Sequence, residues 1–305
     1  MSLQDAFLKF KSGLELNPSF DEKIKARHNA VRSIVQTDST IATKLIGSIA
    51  RKTRIQPRPD DTFDVDILVV LGSFNQWVPT GGVTADAAIS RMLGIVQSSE
   101  RYASKNPSPD KPTVNIAYQD NTKVELVPAY LDLIGSSPNG TRHAPVGRAY
   151  WVPKHTGWEL ADYDFDAEYV SSENHKADGW LIPTIKMLKA IKRTMFPYVP
   201  SFYFEMLATL VLSLVLKSMI DNRASVTYPI LISRFFKFSG GWLELGLSLP
   251  GSLTQPVTLR DDVQKRSLTI FASIDKYCDS IMQISSETEQ QRHWRVLCEE
   301  PFPAI

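Results

Sequence analysis

Two aspartates one residue apart, Asp64 and Asp66, stand at the head of the apolar run "DVDILVVL". On a strand, residues two apart share a face, so both carboxylates project side by side while Val65, Ile67 and Val69 pack behind them. Neighbouring carboxylates repel and burial raises their pKa values, unless a divalent cation holds them. Alone, the pair reads first as two solvated aspartates at a strand entrance. Glu125 shifts that reading: in "VELVPAY" it alternates with Val124 and Leu126, so it can face the same side of a shared sheet, where a buried acid needs a partner. Upstream, Gly47-Ser48 closes a strand where a helix is expected to begin, and backbone N–H groups and a hydroxyl at such a turn can hold phosphate oxygens, with glycine permitting close approach. Three carboxylates at one sheet mouth beside a phosphate cradle point to two-metal phosphoryl or nucleotidyl transfer.

The elements that must position these groups follow from pattern. A capping box at Ser19-Phe20-Asp21-Glu22 predicts a helix start, with Ile24, His28, Val31 and Val35 recurring on one face; His28 reads as a packed or surface helix residue, not a ligand. "TKLIGSIA" reads as a short strand entering the Gly-Ser turn, and "DVDILVVL" as a central strand. Thr84 is placed to cap a helix reaching Ser98, with Ile89, Met92, Leu93 and Val96 at helical spacing. "TVNIAYQ" and "KVELVPAY" flank the polar "DNT" and predict a hairpin. A turn-rich loop is expected over 134–148. From about Lys176 the pattern turns helical, with Leu181, Ile185 and Leu188 on one stripe. "SFYFEMLATLVLSLVLKSMI" approaches membrane length, yet Glu205 and Lys217 interrupt it, so a buried central helix is expected and no membrane association.

Composition excludes several classes. Across 305 residues the formal charge is +1, without the basic excess of a duplex-coating protein. Cys278 and Cys298 are too far apart for a CxxC pair, and the histidines are scattered, so neither a zinc site nor a disulfide framework is signalled. The segment "MSLQDAFLKFKSGLEL" mixes charge with apolar residues, unlike a signal peptide, and a cytoplasmic protein is expected.

The ordered set of Gly-Ser, acid-x-acid and a third acid resembles the nucleotidyltransferase superfamily related to DNA polymerase β. Within it the wording resembles the cGAS/DncV-like nucleotidyltransferases, the CD-NTases of bacterial CBASS anti-phage systems. The likeness runs through Gly47-Ser48-Ile49-Ala50-Arg51-Lys52-Thr53, "VELVPAY", "GWELAD", "IKMLKAIKR", "SFYFEML" and the tail "HWRVLCEEPFP". It implies an α+β, bilobed polymerase-β-like fold, with a catalytic lobe over residues 1–175 that includes the N-terminal helix, and a helical nucleotide-binding lobe over 176–305. It implies two Mg²⁺ or Mn²⁺ ions, both held by Asp64 and Asp66, with Glu125 on the one that activates the attacking hydroxyl. Gly47 and Ser48 would contact the β- and γ-phosphates. Lys189 matches the family's triphosphate lysine, with Lys186 as competitor. Ser201 and Tyr203 fall where relatives place a phosphate contact and a base-stacking ring, although Tyr203 reads equally as core. The implied activity is template-independent synthesis of a cyclic di- or trinucleotide from nucleoside triphosphates in anti-phage defence. CBASS operon partners are possible regulators, and no duplex nucleic acid activator is expected. The alternatives are a relative making linear products or modifying RNA ends or a small molecule, and a non-catalytic nucleotide sensor.

Overall fold

A computed structural model of the chain describes residues 1–36, 42–59, 61–77, 82–133, 147–154 and 157–303. The elements run α1 (Leu3–Gly13), α2 (Pro18–Val35), β1 (Ala42–Leu45), α3 (Gly47–Ala50), β2 (Phe63–Ser73), α4 (Phe74–Trp77), α5 (Ala85–Gln97) and α6 (Glu100–Ala103). There follow β3 (Ser108–Asp110), β4 (Thr113–Ala117), β5 (Thr122–Leu131), β6 (Tyr150–Lys154) and β7 (Gly157–Ala161). Helices complete the chain: α7 (Tyr163–Lys176), α8 (Leu181–Met195), α9 (Ser201–Asp221), α10 (Tyr228–Ser239), α11 (Asp261–Met282) and α12 (Glu287–Cys298).

One mixed sheet organises the first half. β2 lies between antiparallel β1 and parallel β5, β4 continues from β5, and β6 and β7 extend from the far end of β5. Alternation along β2 sends Phe63, Val65, Ile67, Val69 and Leu71 into a core covered by α2 and α5, through Ile24, Val31, Ile89 and Met92. The opposite face carries Leu68 and Val70 in a smaller cluster with Val127 and Ala129 of β5, and nearer its mouth it carries Asp64 and Asp66. The expected β4–β5 hairpin forms, and Thr84 caps α5 by accepting from the N–H of Ala87 at 3.1 Å.

Several boundaries differ from the sequence reading. α2 begins at Pro18, not in a capping box at Ser19: Asn17 Oδ1 accepts from the Ser19 N–H at 3.0 Å, and proline at the first helical position forgoes a hydrogen bond that position lacks anyway. Helical structure sets in at Tyr163, a full helix ahead of Lys176. α1, assigned from sequence to the catalytic lobe, instead joins the helical core: Phe7 meets Trp294 edge-on at 5.4 Å and Phe302 at 5.1 Å. Most of the turn-rich loop, residues 134–146, lies outside the described residues.

Among the described residues α9 alone is long and apolar enough to cross a membrane, and 72% of that apolar window is buried within the protein. Its apolar surface is thus taken up by the core, where Phe204 packs beside Phe196, Phe235 and Phe271. Cys278 and Cys298 are both free and buried.

Candidate active site

The parallel register of β2 and β5 sets Asp64 opposite Lys123 and Asp66 opposite Glu125. All four side chains therefore share the face turned away from the α2/α5 core. Asp64, Asp66 and Glu125 line a cleft of about 590 Å³ whose far wall is built by α8 and α9. Gly47 sits beside them with φ +66°, a left-handed conformation that disfavours any side chain. A Cβ there would lie 2.2 Å from Asp66 Oδ2, so this turn can approach the carboxylates only as glycine. Ser48, buried and facing the cleft, follows at the start of α3.

The carboxylates are under electrostatic stress. Burial, then the adjacent Glu125 and Asp64, push Asp66 up to about 7 against the pull of Arg54 and Arg51. Burial also raises Asp64, with Glu125 adding to it and Lys123 opposing. Asp64 Oδ1 is closed off from solvent and has no hydrogen-bond partner; the Lys123 ammonium stands 3.7 Å away and is hydrogen-bonded to Glu125 instead. As the side chains stand, no three His, Cys, Asp or Glu groups among the described residues are gathered closely enough to hold a metal ion. The donor set nonetheless fits one. Oxygen-only ligands, an orphaned buried carboxylate oxygen and mutual repulsion are what a hard divalent cation would relieve.

The opposite wall is basic, and its organiser was not singled out from sequence. Glu205 of α9 accepts from Lys189 Nζ of α8 at 2.5 Å, from Arg51 Nε at 3.0 Å and from Thr53 Oγ1 at 2.5 Å. Burial would raise this carboxyl, but Lys189 and Arg51 outweigh it and hold it down at about 2. Arg51 and Thr53 directly follow α3, so the network ties the Gly-Ser turn to the helical half of the protein.

Sequence-derived candidates separate cleanly here. Asp64, Asp66, Glu125, Gly47, Ser48, Lys189 and Ser201 all line the cleft. Lys186 is not among the lining residues: it points to the loop after α1 and pairs with Glu15 at 2.6 Å. Tyr203 is fully buried in the helical core, its hydroxyl 3.4 Å from the carbonyls of Trp242 and Leu243, and so cannot stack on a base. Its neighbour Phe202 does line the cleft, half-buried under the Arg51 guanidinium at 4.9 Å, as does Tyr163 at the start of α7. One residue is a rotation of about 100° on a helix, and the apolar run around 201–220 gives no periodicity to choose between the two rings. Lys192, one turn beyond Lys189, also lines the cleft, with burial and Lys189 drawing its pKa down. His28 is half-buried on α2, away from the cleft lining.

Residues 1–141 match the family of Second Messenger Oligonucleotide or Dinucleotide Synthetase domains. No curated protein sequence matches the chain. Among solved structures, the chain is similar to Escherichia coli MS115-1 CdnC with ATP, at 12% identity and a TM-score of 0.68 over 100% of this chain and 99% of that one. It is also similar to the Bradyrhizobium diazoefficiens CD-NTase CdnG in complex with GTP, at 11% identity and a TM-score of 0.69, covering 97% and 94%. Vibrio cholerae DncV, a cyclic AMP-GMP synthase in complex with the linear intermediate 5′ pppA(3′,5′)pG, matches at 10% identity and a TM-score of 0.65, covering 99% of this chain and 87% of that one. At such identities the structural likeness is one of fold. The sequence resemblance to CD-NTases and the polymerase-β-like α+β architecture are borne out by the domain match and these folds together.

Proposed function

We propose, from the premise that residues 1–141 belong to the family of second messenger oligonucleotide or dinucleotide synthetase domains and that the chain is by this domain and fold a nucleotidyltransferase, that it joins nucleoside triphosphates without a template into a cyclic di- or trinucleotide. The observation that carries this reading is the stressed carboxylate face beside the Gly47 turn: Asp66, raised to about 7, lies against a glycine that admits no Cβ. Two divalent ions, Mg²⁺ or Mn²⁺, held by Asp64, Asp66 and Glu125, would supply charge neutralisation and an activated ribose hydroxyl. The reaction is attack of that hydroxyl on the α-phosphorus of a bound nucleoside triphosphate, with pyrophosphate leaving. Closing the ring repeats it on the linear intermediate after that intermediate has reoriented in the same cleft.

The chain's own residues divide the remaining work. Gly47 and Ser48 meet the terminal phosphates at the sheet side of the cleft. Lys189 and Lys192 face the phosphates from α8, and Ser201 opens α9 beside them. Phe202, in place of Tyr203, offers a ring to a base. The fold neighbours support this reading, since solved relatives are described with ATP, with GTP and with a linear 5′-triphosphorylated dinucleotide. An anti-phage role in the cytoplasm follows from the CD-NTase likeness, and a regulatory partner fits it because Escherichia coli CdnC is described in complex with HORMA-deltaN.

The test is incubation with all four nucleoside triphosphates and Mg²⁺ or Mn²⁺, phosphatase treatment, and mass identification of resistant products. A phosphatase-resistant cyclic product, preceded by a linear 5′-triphosphorylated dinucleotide, is expected. Long linear polymers, or label on a non-nucleotide acceptor, would overturn the cyclase reading while keeping the nucleotidyltransferase.

A further inference from the structure

The carboxylate face already contains a cation, and it belongs to the protein. Lys123 lies on β5 two residues before Glu125, so the pleat puts both side chains on the same face. Its ammonium is hydrogen-bonded to Glu125 and lies 3.7 Å from Asp64 Oδ1. The ion pair with Glu125 holds the Lys123 ammonium on the carboxylate face. Lys123 is thus the cation that the sheet face itself supplies, placed where it engages Glu125 and leaves Asp66 to Arg54 and Arg51, which act on it without forming an ion pair.

A divalent ion arriving at Glu125 must displace that ammonium. Lysine suits such exchange, because its charge is compact and carried on a flexible four-carbon stem. The Lys123 side chain is 29% exposed, so it has a way out toward solvent. A landing place exists as well. Asp110 on β3 is exposed and lies outside the triad, and the Asn115 that hydrogen-bonds it stands opposite Glu125 in the β4–β5 register. Asn115 Nδ2, on the strand next to β5, donates to Asp110 Oδ2 at 2.9 Å and fixes that carboxylate beside the site.

We propose that Lys123 is a built-in counter-cation of the carboxylate triad: it holds Glu125 in the metal-free protein and swings toward Asp110 when a divalent ion takes Glu125. The proposal rests on the metal-dependent reading above and adds to it a cost of metal loading set by this chain's own side chain. Metal bound in the absence of nucleotide is thereby weakened. Loading at Glu125 is favoured only when further negative charge, such as a bound triphosphate, draws the ion in.

The experiment is a Mn²⁺ titration of nucleotide-free protein near pH 8, where protons compete least for the carboxylates, with free Mn²⁺ read by electron paramagnetic resonance. Wild type, Lys123→Met, Lys123→Gln and Asp66→Asn are compared, together with the Lys123→Met/Asp66→Asn double variant. Lys123→Met and Lys123→Gln are expected to bind Mn²⁺ roughly tenfold more tightly than wild type, the scale of removing one charge-assisted competitor. Asp66→Asn should remove binding in both backgrounds. Binding that depends on Asp66 but is unchanged or weaker on removing Lys123 overturns this proposal and leaves the metal reading intact. Binding that survives Asp66→Asn, or none in any protein, overturns both. Should the Lys123 variants fail to fold, Asp110→Asn decides: losing the landing charge should weaken Mn²⁺ binding about twofold to threefold, and an unchanged affinity overturns the proposal.

Discussion

Asp66, half-buried, and Glu205, fully buried, line one cleft and end at opposite extremes of acidity, at about 7 and about 2. Burial pushes both upward, so the difference lies in their partners. Glu205 receives three donors, two of them cationic, in a pocket that closes around it. Asp66 is crowded by two other acids, and the cations that act on it, Arg54 and Arg51, form no ion pair with it, while Lys123 is committed to Glu125. A saturated buried acid is a fastening, joining α3 to α8 and α9. An unsaturated one is a vacancy in charge, and that is where an external cation would be taken up.

The contrast breaks most sharply under substitution of the strained side. Asp64→Asn with Asp66→Asn should lower nucleotide polymerisation on the order of 10³-fold or more, since the lost interaction stabilises transition-state charge by several kcal/mol. The metal-free double variant should melt no lower than wild type, because mutual carboxylate repulsion is gone. Product formation by mass and thermal melts in chelator check the two halves; near-wild-type synthesis would remove the metal reading.

Substitution of the fastened side should do the reverse. Glu205→Ala leaves Lys189 and Arg51 as buried cations without their anion, and the expected loss is about 3–5 kcal/mol, measured by urea unfolding. A loss under about 1 kcal/mol would mean that the network contributes little to the join between the halves.

The two acids also give opposite pH signatures in metal-free protein. Asp66 holds a proton in the folded state up to about 7 but releases it near 3.8 when unfolded, so the folded state gains stability as pH falls through that window. Wild type and Asp66→Asn should therefore converge in melting temperature between about pH 8 and about pH 5. Glu205, depressed from 4.5 to about 2, stabilises above its unfolded pKa and loses that contribution as pH falls through about 2. Wild type and Glu205→Gln should stay apart at neutral pH and converge only below about pH 4. Convergence of both pairs in one window would show that their environments do not differ as described.

The strained side was legible in sequence and the fastened side was not, for a physical reason. Strand alternation has a period of two, so "DVD" and "VEL" declare which side chains share a face as soon as the strands are recognised, and Gly-Ser before them marks the turn. Lys123 was in plain view at the same period but reads as an ordinary hairpin lysine until the β2–β5 register sets it against Asp64. Glu205 is embedded in a helix apolar nearly all round, where it reads as an interruption of the run. Its meaning depends on Arg51 and Thr53, about 150 residues away. The same all-round apolarity hid the choice between Phe202 and Tyr203. α1 was misplaced because its partners, Trp294 and Phe302, come at the far end of the chain.

The smallest expected effect separates two lysines one turn apart on α8. The Glu205 pocket carries Arg51 and Lys189 against one carboxylate, a surplus of one positive charge turned toward the cleft. A triphosphate entering there gains from that surplus, and Lys189→Ala cancels it. The expected result is roughly tenfold weaker nucleoside triphosphate binding, the scale of a charge-assisted contact in a desolvated site. Lys186 faces away from the cleft: although buried itself, it pairs with a half-exposed Glu15 on the loop after α1. Lys186→Ala should leave nucleotide affinity within about twofold of wild type, because its ammonium lies outside the cleft. Calorimetric titration with a non-hydrolysable nucleotide analogue on both variants makes the comparison. Equal losses, or a larger loss for Lys186, would move the triphosphate away from the Glu205 wall, and with it the idea that one cleft sets a cation-seeking face against an anion-seeking one.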